Sequence, residues 1–120
     1  MEIYATRDSV AAGDDIDAPH ARSFSFPDAT PVMDIVGRIV AGGYLPRING
    51  GKATWSLVSG FPIAVVAQQW TEPRPLCWPE VELSELETRN GVIQLHFNYH
   101  TQIDPDIVFQ VLRNLRLRKS

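Results

Sequence analysis

Gly51-Lys-Ala-Thr-Trp-Ser-Leu-Val-Ser-Gly-Phe-Pro-Ile-Ala-Val-Val-Ala-Gln-Gln-Trp70 is the stretch on which the fold turns. Its first apolar run, Ala53–Val58, nearly alternates: Ala53, Trp55 and Leu57 against Thr54, Ser56 and Val58, as in a strand buried on one face. The second, Ile63-Ala64-Val65-Val66-Ala67, is apolar on both parities and predicts a strand covered on both faces in mid-sheet. Ser59-Gly60-Phe61 between them is short and turn-rich, so the pair reads as an antiparallel hairpin.

Working outward, the downstream flank gives the next clearest signals. Asn90-Gly91 is a hairpin turn signal, and Val92–Tyr99 alternates Ile93, Leu95, Phe97 and Tyr99 against Gln94, His96, Asn98 and His100. Asp104-Pro105 then offers an N-cap followed by a proline at the first helical position, where its missing N–H costs nothing. Ile107, Val108, Val111, Leu112 and Leu115 read as one helical apolar stripe, ending among Arg113, Arg116, Arg118 and Lys119, whose charge suits a helix C-terminus. Between the hairpins, Trp70–Pro79 carries three prolines and predicts an extended loop without pairing, and Glu80–Thr88 reads as a strand or an irregular segment.

Upstream, Glu2–Thr6 and Arg22–Phe26 alternate weakly and suit short strands. Arg7–Ala21 is polar, acidic and lacks periodicity; a loop of that length in a small domain is commonly functional or disordered. Thr30-Pro31 repeats the cap-plus-proline start, and Val32, Met33, Val36, Ile39 and Val40 form a helical apolar face that Gly42-Gly43 closes. Gly37, inside that helix, suggests close packing against the sheet. Tyr44–Ile48 contains Pro46 and is an edge strand at best, and Asn49-Gly50-Gly51 is a turn. The expectation is one α+β domain spanning residues 1–120: a mainly antiparallel sheet of four to six strands with two packed helices.

Composition bounds function without naming it. The 120 residues are 44% apolar and 21% charged, ordinary for one globular core, and a net charge of −3 gives no reason to expect direct nucleic-acid binding. Charge is uneven, because Glu2, Asp8, Asp14, Asp15, Asp17, Asp28 and Asp34 precede the first helix's midpoint against only Arg7 and Arg22. Cys77 is the single cysteine, so no intrachain disulfide forms, and Leu76 and Trp78 beside it suggest an inert buried thiol. Met1-Glu2-Ile3-Tyr4 opens no signal peptide and no apolar run approaches the roughly 20 residues of a membrane span, so the cytoplasm is the expected compartment.

Catalytic motifs are absent: there is no Gly-x-Ser-x-Gly elbow, and Gly50-Gly51-Lys52 lacks the spacing of a phosphate loop. His96 and His100 share a strand face but stand roughly 13 Å apart, whereas ligands to one ion sit about 2 Å from it. His20 lies near Asp15 and Asp17, a combination able to hold a cation weakly; solvent-facing histidines are the plainer reading. A triad such as Ser56, His96 and Asp104 can be assembled from the sequence, as from most chains of this length. The basic C-terminus lacks the interleaved aromatics of a single-strand binder. The acidic loop Asp8–Asp17 remains as either a solubilising loop or a docking surface for a basic protein, which Glu80, Glu82, Glu85 and Glu87 extend if the fold brings them near.

Ile3-Tyr-Ala-Thr-Arg-Asp-Ser-Val-Ala-Ala-Gly-Asp-Asp15, Asp17-Ala-Pro-His20 and Gly50-Gly-Lys-Ala-Thr-Trp55 with Pro62-Ile-Ala-Val-Val-Ala-Gln-Gln-Trp70 resemble small bacterial immunity proteins of polymorphic-toxin and contact-dependent growth inhibition systems. The resemblance covers about half the chain. It implies a cytoplasmic, non-enzymatic antitoxin without cofactor, metal, membrane or small-molecule ligand, which binds a cognate toxin domain and occludes its active site or substrate surface. A nuclease toxin is one case, since its basic substrate surface would face acids. The residues expected to bind are Asp8, Asp14, Asp15, Asp17, Glu80 and Glu82. The alternative is a small hydrolase or metal-dependent enzyme using His20, His96 or His100.

Overall fold

A computed structural model describes residues 1–77 and 80–119, with side chains described for all of these except 12 and 116–119. Trp78, Pro79 and the side chains of Arg116, Arg118 and Lys119, which entered the readings above, lie outside the described residues. The chain is an α+β domain whose strands are β1 (Glu2–Arg7), β2 (Arg22–Ser25), β3 (Thr54–Val58), β4 (Pro62–Ala67), β5 (Arg74–Pro75), β6 (Thr88–Arg89) and β7 (Val92–Tyr99), with helices α1 (Val32–Ala41) and α2 (Pro105–Lys119). Short 3₁₀ turns span Ala12–Asp17 and Leu83–Glu85. The strands form one sheet in the order β2-β1-β7-β3-β4-β5, with β6 paired to β7. Seven strands replace the expected four to six because β5 and β6, two residues each, add brief pairings in stretches that read as loop or ambiguous.

The hairpin β3–β4 forms as expected, with a bulge between Leu57 and Val58 and Gly60 at φ 77° in its connection. Asn90 and Gly91 both take positive φ (51° and 79°), the conformation of a tight hairpin turn between β6 and β7. The sheet is mixed: β1 runs parallel to β7 (Ile3 opposite Ile93, Ala5 opposite Leu95, Arg7 opposite Phe97), while the other pairings among the described residues are antiparallel.

Side chains directly opposite each other share a sheet face. On one face Ile3, Ala5, Ile93, Leu95, Phe97, Trp55 and Leu57 pack with Val32, Ile35, Val36 and Ile39 of α1 into the main core. On the other, Val65 and Leu76 pack against Val108, Phe109 and Leu112 of α2, which lies over β3 and β4. The sheet is therefore sandwiched between two helices, but α2 leaves the β1–β7 half of its face to the half-buried Tyr4, Thr6, Gln94, His96 and Asn98.

The two helix starts differ from each other in an instructive way. Asp104 caps α2 as its position suggests, accepting a hydrogen bond from the Asp106 amide at 2.9 Å. Thr30, however, turns its hydroxyl back to the Pro27 carbonyl, and the exposed amide of α1 at Met33 is taken by the carboxylate of Glu80, 47 residues away. Gly43, at φ 82°, closes α1. Gly37 does not mark close packing, since a Cβ there would meet open space. Tyr44–Ile48 forms no strand, and Tyr44 is buried instead, edge-on to Phe24 and Phe97.

Candidate functional site

β1 leaves the sheet at Arg7, and the next fourteen residues return to β2 through a loop that is built, not slack. Arg7 organises it. Its guanidinium, on a side chain only 11% exposed, donates to the Asp8 carbonyl at 3.0 Å and to both oxygens of Asp14 at 2.9 and 3.4 Å. The Val10 amide also donates to Asp14 at 3.0 Å. These donors stabilise the charged form, with Arg7 foremost, and hold the Asp14 carboxyl down at about 2. The return arm is tied as firmly: the Arg7 amide donates to the Pro19 carbonyl at 3.0 Å, and the buried Tyr44 hydroxyl donates to the His20 carbonyl at 2.6 Å. Burial pushes the Tyr44 phenol up to about 12, so it stays a donor. His20 completes the frame, its Nε2 3.0 Å from the Ser9 hydroxyl and 3.6 Å from Asp14.

The frame projects one feature outward. On the 3₁₀ turn Ala12–Asp17, Asp15 and Asp17 are exposed on either side of Ile16, which is 86% exposed. A large aliphatic side chain held fully in water on an anchored turn opposes the hydrophobic effect, which would bury it at a gain of about 1.5–3 kcal/mol. The expected acidic residues thus divide. Asp14 is spent within the loop, Asp8 faces the sheet, and Asp15 and Asp17 are presented to solvent.

Glu80 and Glu82 do not join them. Glu80 serves the start of α1, and Glu82 forms a reciprocal capping box with Glu85, its amide donating to that side chain at 2.8 Å. Both lie beside Ala29–Val32, at the end of the sheet where β1 begins, whereas the acidic turn stands where β1 ends, six residues of strand or roughly 20 Å away.

The histidines on and directly after β7 are also accounted for. His96 Nδ1 lies 2.7 Å from the Thr6 hydroxyl, and its Nε2 lies 2.9 Å from Asp8, whose second oxygen accepts from the Tyr99 amide at 2.9 Å. His100 Nε2 lies 2.7 Å from the Ser56 hydroxyl. Ser56, His96 and Asp104 therefore form no triad: Ser56 belongs to His100, His96 to Thr6 and Asp8, and Asp104 to the cap of α2. The hydroxyl–imidazole–carboxylate array of Thr6, His96 and Asp8 stitches β1 to β7 on the half-face that α2 leaves uncovered. Among the described residues no group of three or more His, Cys, Asp and Glu is arranged to hold a metal ion, and no helix is long and apolar enough to cross a membrane. Cys77 is half-buried beside the main core.

Burial lowers the His100 pKa below its ordinary 6.5, with the Asp8 charge acting weakly against it. In the unfolded chain His100 takes a proton first as pH falls, so its contribution to stability is intact above about pH 6.5 and declines below it. Urea midpoints measured between pH 7.5 and 5 should fall on the acid side, and His100→Gln should flatten part of that fall; an unchanged slope in the variant would remove His100 as its source.

Comparison with known proteins finds no family model, no curated protein and no solved structure that matches the chain.

Proposed function

We propose that this protein acts without catalysis, as an immunity-type binder that docks its Asp15-Ile16-Asp17 turn onto a basic surface of a cognate toxin domain and covers that domain's active or substrate-binding face. The observation that carries this reading is the 86% exposure of Ile16 on a turn fixed by Arg7, Asp14 and Tyr44. An aliphatic knob flanked by carboxylates supplies both parts of a recognition element: apolar area for retention and charge for steering. Because the loop is already ordered, binding does not have to order it, which preserves affinity.

The test is capture of the toxic domain encoded beside this chain, with growth rescue on co-expression. Asp15→Lys with Asp17→Lys should slow association on the order of tenfold at low salt, and the difference should shrink as salt rises. Ile16→Ala should speed dissociation with little change in association rate. Absence of binding at micromolar concentrations, or binding indifferent to all three changes, would defeat the proposal.

A hydrolase is the second reading, favoured by the Thr6–His96–Asp8 array. A fluorophosphonate reagent should then label Thr6 and His96→Ala should abolish labelling; an unlabelled protein ends that reading.

A further inference from the structure

Where the C-terminal end of α1 meets β3 and β4, the chain leaves an open cavity of about 680 Å³. Small-molecule sites occupy roughly 300–1,000 Å³. The cavity is deep, since it reaches Trp55, Val66 and Ala67, which are 2%, 4% and 5% exposed. Val40 and Ala41 of α1 supply one wall, the Leu45–Arg47 segment a second, and Trp70 a third.

These walls are fixed by contacts of their own. The Gln68 side chain accepts from the Ile48 and Ala53 amides at 3.3 and 3.1 Å and donates to the Ile48 carbonyl at 3.3 Å, which pins the segment after α1 to the approach of β3. Trp70 packs on the Val65–Val108 cluster, and the Arg74 guanidinium lies 3.8 Å from its ring centroid. Two indoles held in this way offer rigid aromatic surface. Water against such walls makes few hydrogen bonds, so a ring that displaces it binds favourably.

Charge selects the rest of the ligand. Among the described residues Arg47 is the only charged one that lines the cavity. It has no ion pair and no side-chain hydrogen bond among them, so its guanidinium is free for a bidentate contact. The α1 wall carries the negative end of the helix dipole, roughly half an elementary charge. The Gly42 and Gly43 amides offset part of it by donating to the Arg38 and Val40 carbonyls. The full charge of Arg47 prevails, and the dipole directs an anionic group to Arg47 and away from α1.

The geometry points to a binding site for a small aromatic monocarboxylate, with its ring against Trp55 and Trp70 and its carboxylate on Arg47. The site is separate from the acidic turn and does not rest on the toxin reading.

The probes are naphthylacetate, its neutral amide and naphthylethylamine, each titrated into the full chain while backbone and indole N–H signals are followed by NMR. The acid should bind saturably below about 1 mM and move the signals of Gly51, Ala67 and the Trp55 and Trp70 indoles. It should bind at least about fivefold more tightly than the amide, and the amine should bind most weakly. Arg47→Gln, at an exposed position, should erase the preference for the acid over the amide while the ring still binds. Ala41→Trp, at the exposed last residue of α1, should fill the cavity and abolish binding of all three with circular dichroism unchanged. The proposal is overturned by the absence of a saturable shift up to about 5 mM, by tightest binding of the amine, or by a preference for the acid that survives Arg47→Gln. Binding that Ala41→Trp leaves intact overturns it equally.

Discussion

Trp55→Ala should lower the unfolding free energy by about 3–5 kcal/mol and the melting temperature by roughly 10–20 °C. Trp55 is 2% exposed in β3, opposite Val66 of β4 on one side and Tyr99 of β7 on the other, with its ring 4.7 Å from the Tyr99 ring. It belongs to the core that the sheet shares with α1, so truncation removes apolar contact and opens a void that β3, held on both flanks, cannot collapse to fill. Against a total stability of about 5–15 kcal/mol for a domain, the loss is severe. Trp55→Phe, which keeps an aromatic ring, should cost much less. Chemical denaturation of the three proteins decides it; a loss under about 1 kcal/mol for the alanine variant would mean that the core does not rest on this residue.

Arg7→Ala should act locally where Trp55→Ala acts globally. It removes the donor that gathers Asp14 and the Asp8 carbonyl, leaving the Asp14 carboxylate with the Val10 amide and His20. The turn carrying Asp15, Ile16 and Asp17 then loses its anchor while β1 keeps its pairing with β7. Hydrogen exchange at the Val10 and His20 amides should quicken by an order of magnitude or more, with far smaller changes at Ile93–Phe97. Capture of the proposed toxin partner should weaken in parallel, because the loop must then be ordered on binding. Faster exchange with undiminished capture would separate rigidity from recognition and undercut the proposed docking mode.

What the residues reveal in advance, and what they conceal, follows from the range of the interactions. Asn90-Gly91, the alternation of Ile93, Leu95 and Phe97, and the Asp104-Pro105 start depend on neighbours in sequence, and all three appear where expected. The parallel pairing of β1 with β7 was not legible, because alternation tells which side chains face inward and is silent on which strand lies alongside and in what direction. The α2 stripe was merged for a related reason. Ile107 with Val111 and Val108 with Leu112 have the same four-residue spacing, and only the sheet beneath shows that the second row is covered while the first is bare. The acidic loop was visible as a loop and as acidic. That Arg7 neutralises Asp14 while Asp15 and Asp17 stay exposed is tertiary geometry, as is the service of Glu80 to a helix 47 residues upstream.

β1 lies between β2 and β7, and the β7 residues it pairs with come far later in the sequence, Ile93 opposite Ile3 and Leu95 opposite Ala5. A nascent chain emerging N-terminus first holds Ile3 and Ala5 without their principal neighbours until Ile93 and Leu95 follow. The sheet therefore cannot close around β1 until β7 has been made, and the long sequence separation of that pairing predicts slow closure compared with a helical bundle of equal size. Until β7 is made the acidic loop also lacks one of its ties, since Asp8 is held by Phe97 and Tyr99. Under the proposed immunity role, protection would begin only once β7 has been made, so the timing of synthesis relative to the toxin would matter as much as the affinity between them.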